Sequence, residues 1–281
     1  MNNKLIQRLT GAALLLSVNA VQAAISCNIS SLGFIVGYDN TIQNIVQSSY
    51  SITCNRSANL TDPTTTTYAV KVDRGLNPQG QNKQAASGAN LLPYGTFTDN
   101  TCGTQWSKNV TIPSPAGTIT MVGTSSTTVT QNFWGCINAA LGPTAGIYTD
   151  TVIMTPTYST GVSGGTGTIP VKIITPAICT ISAIPNITLA YGSAFRTTSA
   201  TATTSAPVTC SNQLPYTIAV SPTSGVSAGI YYSLSLPSSG TGTGAVQNIM
   251  ITATAPAGQA GTCTTSSCTG APQPHTLTVT Y

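Results

Sequence analysis

Tyr148-Thr-Asp-Thr-Val-Ile-Met-Thr-Pro-Thr-Tyr158 sets Tyr148, Val152 and Met154 on one face of an extended segment, with threonines filling much of the other. Alternation with period two marks a strand with one buried face. Thr276-Leu-Thr-Val-Thr-Tyr281 repeats the pattern, with Leu277, Val279 and Tyr281 in phase. Each run closes a copy of one plan. Residues 27–158 open with Cys27-Asn-Ile-Ser30 and end in Thr155-Pro-Thr-Tyr158, and residues 179–281 open with Cys179-Thr-Ile-Ser182 and end in Thr278-Val-Thr-Tyr281. Between these ends Tyr50-Ser-Ile-Thr-Cys54 matches Ala206-Pro-Val-Thr-Cys210, and Tyr68-Ala-Val-Lys-Val72 matches Tyr216-Thr-Ile-Ala-Val220.

No segment carries a helical stripe, and Gly, Pro, Asn and Ser recur about every 8–12 residues, the spacing of short strands in a sandwich. The predicted fold is all-β, with two immunoglobulin-like β-sandwich domains. After the first copy the chain passes through Ser159-Thr-Gly-Val-Ser-Gly-Gly-Thr-Gly167, flexible by composition, into Ile169-Pro-Val-Lys-Ile-Ile-Thr175, an apolar segment of strand length. No such segment follows the second copy, so the second sandwich is predicted to be incomplete, lacking its last strand. The expected divisions are a signal peptide at 1–23, a first domain at 24–158, a linker with a donor strand at 159–176, and a second domain at 177–281. Two readings of 168–176 stand: Ile169, Val171 and Ile173 fill the first sandwich as a donor strand, or the segment is the first strand of the second copy.

Lys4 and Arg8, the apolar run around Gly11-Ala-Ala-Leu-Leu-Leu-Ser17 and the small residues of Val21-Gln22-Ala23 form a secretory signal, with Ala24 the expected first mature residue. The eight cysteines fall as Cys27, Cys54, Cys102 and Cys136 in one copy and Cys179, Cys210, Cys263 and Cys268 in the other. In an oxidising compartment such sets read as disulfides. Four cysteines allow three pairings per copy; Cys27 with Cys54 and Cys179 with Cys210 are favoured, because both pairs flank the first two predicted strands. A metal site is disfavoured, since there is no C-x-x-C pair and His275 is the only histidine. No cofactor is predicted.

Charged residues make up 5% of the chain, against about 25% ordinarily. There is no glutamate, and all five acids (Asp39, Asp62, Asp73, Asp99 and Asp150) precede the second copy. So sparse a charge supports neither a nucleic-acid stripe nor a strong membrane-surface patch. It also leaves the second copy without an acid/base pair of the usual kind, which disfavours an enzyme; Asp99 and Asp150 read as turn or strand-edge residues.

Leu92-Pro-Tyr94 with Phe97-Thr-Asp99 and Trp106, followed by Trp134-Gly135 and Gly146-Ile-Tyr-Thr-Asp-Thr-Val152, resembles the spore coat protein U domain family. The second copy keeps its opening cysteine, Tyr191-Gly192 and Gln247-Asn248, but has Pro272-Gln-Pro-His275 where the first has Gly-x-Tyr-x-Asp. In Gram-negative bacteria the family supplies subunits of archaic chaperone-usher pili, in which a neighbour's extension fills the groove of an incomplete sandwich. The resemblance thus implies a periplasmic chaperone, an outer-membrane usher and a neighbouring pilin subunit as partners.

With cleavage after Ala23, only Ala24-Ile-Ser26 precedes Cys27. The chain is therefore expected to accept a strand without giving one, as a tip adhesin secreted through the periplasm to the pilus tip, serving attachment and biofilm formation on an abiotic or host surface. Loops 55–67, 100–116 and 159–167 are expected to face outward, offering Leu60, Trp106, Val110, Ile112 and Val162 as a surface-binding set. Trp106 is equally a core candidate, since the family motif includes it. The alternatives are a minor structural pilus or coat subunit, or a glycan-binding tip.

Overall fold

The computed structural model describes residues 25–57, 63–80, 82–106, 114–123, 125–159, 161–262 and 269–281. The chain is all-β, with nineteen strands and no helix among the described residues.

The first eleven strands pair among themselves. They are β1 (Ile25–Ser31), β2 (Phe34–Gly37), β3 (Asn44–Arg56), β4 (Thr65–Val72), β5 (Lys83–Ser87), β6 (Asn90–Phe97), β7 (Ala116–Thr120), β8 (Thr127–Ile137), β9 (Gly146–Tyr158), β10 (Val162–Gly164) and β11 (Gly167–Thr175). One sheet runs β10-β1-β3-β8 and ends on the second half of β6. The other begins with the first half of β6 and runs β5-β9-β11-β2, with β4 also joined to β9 and β7 joined to β4. β6 therefore changes sheets between Tyr94, opposite Lys83, and Gly95, opposite Cys136.

Alternating residues from the two sheets meet in one core containing Ile25, Ile52 and Phe133 from the first and Val70, Val152 and Ile169 from the second. On the outer side of the first sheet Ser51–Thr130 and Thr53–Thr128 hydroxyl pairs at 2.9 and 2.8 Å join β3 to β8. Cross-strand pairs of this kind hold register where no apolar face is buried. The core's aromatic centre is Trp106, with Tyr50 at 5.2 Å and Phe133 at 5.4 Å between ring centroids. Phe34 packs edge-on against Phe133 and fits because position 135 is glycine, whose added Cβ would stand 2.6 Å from the Phe34 ring.

The second copy forms a five-stranded sheet, β12-β13-β18-β16-β15, and a three-stranded sheet, β17-β14-β19. Its strands are β12 (Cys179–Ile181), β13 (Ala200–Cys210), β14 (Pro215–Ser221), β15 (Ser224–Ser227), β16 (Ile230–Ser235), β17 (Ser239–Thr241), β18 (Val246–Ala255) and β19 (Thr276–Thr280). The repeat survives in the pairing: Cys27 lies opposite Cys54 and Cys179 opposite Cys210. Its core cluster buries only Val208, Cys210, Tyr216 and Ile218, with Leu236, Ile249, Leu277 and Val279 partly buried around them.

Candidate functional site

β11 lies between β9 and β2, antiparallel to the first and parallel to the second. Its ladder with β9 runs from Gly167 opposite Met154 to Thr175 opposite Gly146. Ile169, Val171 and Ile173 point inward and are 0%, 2% and 0% exposed. Each buried side chain of this size contributes about 1.5–3 kcal/mol, so the strand is a large part of the core. Close approach on the β2 side depends on Gly33, which has φ +72° and no room for a Cβ against the Pro170 carbonyl.

Asp150 stands on the same inward face of β9, 4% exposed. It is not the turn or strand-edge residue expected from sequence, because it follows the buried parity of Tyr148 and Val152. Its carboxylate accepts the Tyr94 O–H at 2.6 Å and the N–H groups of Leu76 and Thr151 at 2.8 Å each. Burial and the hydrogen bond to Asp150 push the Tyr94 phenol up. Nearby Lys83, 1% exposed, donates from Nζ to the Trp106 carbonyl at 3.3 Å. Burial brings its ammonium down to about 8, against the opposing pull of Asp73 and Asp150. These groups are partnered within the core and serve the fold. Asp99 is a turn residue as expected: its carboxylate accepts from Thr101, Gly103 and Thr104.

In the second copy, β14 and β19 hold the places of β4 and β9, with Val220 opposite Leu277 where Val72 opposes Met154. No strand lies on the other edge of β19 among the described residues. The inward row His275, Leu277 and Val279 is only partly buried, as are Ile184, Ile187 and Leu189; Ile181 is 37% exposed. At the start of this row the His275 Nδ1–H donates to the Pro222 carbonyl at 2.7 Å. A carbonyl can only accept, so Nε2 of the neutral ring receives the Tyr232 O–H, also at 2.7 Å.

The surface-binding set fares differently. Leu60, Val110 and Ile112 lie outside the described residues. Trp106 is not at a surface: it is 0% exposed, and its indole N–H donates to the Val70 carbonyl at 2.8 Å. The segment before it folds back on β6 through the Phe97–Gln105 bridge and carries the indole beneath the sheets, where a large ring buries most area. Val162 belongs to β10, paired with Ile25 and packed partly against the core, not to an outward loop. The turn after β7, outside the three loops expected to face outward, adjoins the start of β8 at the end where β3 and β9 finish. Val122 there is 78% exposed, and Arg56 reaches across to the Gly123 carbonyl at 3.2 Å. In the sequence, Gly123-Thr-Ser-Ser126 has the composition of a turn between two strands.

Disulfides join Cys27 to Cys54, Cys102 to Cys136 and Cys179 to Cys210. Cys263 and Cys268 lie outside the described residues. The Cys102–Cys136 bond ties the turn after β6 to β8, beside Trp106.

Among solved structures, the chain is similar to one from the chaperone–tip adhesion subunit pre-assembly complex of archaic chaperone-usher Csu pili of Acinetobacter baumannii. The identity is 12% and the TM-score 0.43, over 91% of this chain and 100% of that one. It is also similar to the CupB6 tip adhesin from Pseudomonas aeruginosa, at 12% identity and TM-score 0.41 over 83% of this chain and 88% of that one. The CooA pilin subunit from enterotoxigenic Escherichia coli aligns at 11% identity and TM-score 0.30, over 54% of this chain and 97% of that one. No curated protein matches the chain. A family model described as Spore Coat Protein U domain matches residues 12–155 and 165–247, spanning both copies, and the chain belongs to that family.

Proposed function

We propose that this protein is a tip adhesin subunit of a chaperone-usher pilus, a binding and assembly component rather than an enzyme. The observation that carries the reading is the difference between two equivalent strands. β9 is covered along Gly146–Met154 by β11, whereas the corresponding edge of β19 carries no strand among the described residues. An uncovered edge with half-buried apolar side chains is a template for strand addition.

On this reading residues 24–158 form the adhesive domain, completed within the chain by the donor strand in 159–176. Residues 177–281 form the pilin domain, held first by a periplasmic chaperone and then, at the outer-membrane usher, by a strand from the neighbouring pilin subunit. The protein is exported to the cell surface and meets abiotic or host material with the end of the first domain that holds the β3–β4 segment and the β7–β8 turn. Exposed Val122 supports contact of an apolar kind, and Leu60 and Ile112 are further apolar residues of the sequence segments expected to face outward.

The test is attachment of pili carrying Leu60→Ser, Ile112→Ser or Val122→Ser to polystyrene, with pilus assembly measured in parallel. Reduced attachment with normal assembly is expected, and it should depend little on salt. Sugar-inhibitable binding that survives all three substitutions would replace this mechanism with a lectin-type tip. Loss of assembly without any strand dependence would remove the pilus reading.

A further inference from the structure

The two copies differ most sharply at the floor of the cleft beside their last strands. Register gives the correspondence. Val220–Leu277 in the second copy stands where Val72–Met154 stands in the first, so His275, two residues before Leu277, holds the place of Val152. Register across the sheet gives a second match: with the copies aligned on Cys54 and Cys210, Gly95 opposes Cys136 where Ser233 opposes Thr254, so Tyr232 holds the place of Tyr94. In the first copy both positions are closed: Val152 is 0% exposed, with Ile169 of β11 directly opposite it, and Tyr94, 5% exposed, donates its hydroxyl to Asp150 instead. In the second copy they are a polar pair, Tyr232 and His275, hydrogen-bonded at 2.7 Å and only partly buried.

We propose that the Tyr232–His275 pair forms the floor of the strand-accepting cleft of the second copy, and that capture of an apolar strand there requires the neutral imidazole. The inference rests on the strand-capture reading above. The occupant is an extended segment whose inward residues are aliphatic at alternate positions, as in Ile169-x-Val171-x-Ile173, because that segment closes the equivalent cleft of the first copy.

The neutral ring suits coverage: Nδ1–H is satisfied by the Pro222 carbonyl and Nε2 by the Tyr232 hydroxyl, so an aliphatic side chain laid over it leaves no orphaned polar atom. The imidazolium does not. The groups facing it are the Tyr232 hydroxyl from β16 and the Pro222 carbonyl from the β14–β15 connection, neither of them an anion. Burial pushes the Tyr232 phenol up, so it stays uncharged where imidazoles titrate. No acidic side chain occurs after Asp150. Arg196, the one arginine or lysine of the second copy, is engaged with Ala190, Thr198 and the Tyr191 ring. Covering a cation here removes water and supplies no counter-charge. Protonation therefore opposes capture, and by reciprocity capture opposes protonation.

A single histidine makes the test direct. The mature full chain, without a polyhistidine tag, is titrated with an acetylated and amidated peptide of the sequence Gly167–Thr175 at pH 8 and pH 5.5, while the imidazole resonance is followed by NMR. Affinity is expected to fall by about fivefold between pH 8 and pH 5.5, and saturation with peptide to lower the imidazole titration midpoint by about one pH unit, the same linkage seen from the other side. His275→Leu should bind the peptide equally at both pH values. Peptide binding with equal affinity at both pH values and an unmoved imidazole titration would overturn this inference and leave strand capture standing. A His275→Leu variant that keeps the acid sensitivity would do the same. Failure to bind at either pH would overturn the strand-capture reading and this inference with it.

Discussion

Tyr94 donates its phenolic O–H to Asp150 Oδ2 at 2.6 Å, from the last residue of β6 before that strand crosses to the other sheet. The bond thus links the crossing point of one strand to the strand that β11 covers. A buried carboxylate with three donors around it holds a junction that apolar packing alone would leave free to slide.

Tyr94→Phe removes one of those donors and keeps the ring. It is expected to cost about 1.5–3 kcal/mol, the range for hydrogen bonds to charged groups, read as a shift in denaturant midpoint with the slope unchanged. An unaltered midpoint would show that the junction does not depend on this bond.

Ile173→Ala, in the middle of the fully buried row of β11, should destabilise the first copy by about 2–5 kcal/mol. Val171→Asp with Ile173→Asp should prevent its folding, since each would bury an unpaired carboxylate. Chemical denaturation of the mature chain, or recovery of the protein from the periplasm, reads the outcome. Wild-type stability in the double variant would mean that the segment closes no core.

The Cys102–Cys136 bond spans 34 residues of sequence and anchors the turn that brings Trp106 inside. Replacing both cysteines by serine should lower stability by about 4 kcal/mol on the chain-entropy account. Tryptophan fluorescence would report any loosening of the indole. A native emission spectrum with an unchanged midpoint would assign the bond no structural role.

Lys83 predicts a rise in stability with pH. Below about 8 the folded protein carries a desolvated ammonium; above it the folded form releases the proton, while the unfolded chain retains it to about 10.4. Stability should therefore increase from about pH 8 upward, until ionising tyrosines of the unfolded chain, near pH 10, reverse the trend. The midpoint of urea unfolding between pH 7 and 9.5 checks this, and Lys83→Met should flatten the rise.

Much of this architecture was legible in the sequence because strands with one dry face announce themselves by parity. Tyr148, Val152 and Met154 share a parity, and so do Leu277 and Val279, and the structure places each set inward. Asp150 obeys the same parity and is buried for that reason; reading it by its charge instead of its position put it at an edge. Trp106 was ambiguous because its burial depends on the Phe97–Gln105 bridge, a contact that no local alternation encodes. Val122 does not stand out in the sequence, because a short turn after a short strand gives little signal of which end of a sandwich it occupies. His275 has the parity of Leu277, but its pairing with Tyr232 spans 43 residues, and the first copy has the apolar Val152 in the place of His275.

The antiparallel run of β11 against β9 also decides how the first copy bears load. Tension between the Tyr158 end of the sandwich and Thr175, where the chain leaves for the second copy, acts along the strands and across the whole ladder at once. Bonds loaded together in shear must break together, whereas bonds peeled from one end fail singly. The same nine residues that complete a core thereby make a mechanical clamp, whose strength is set by the length of the register and not by the strength of any one contact.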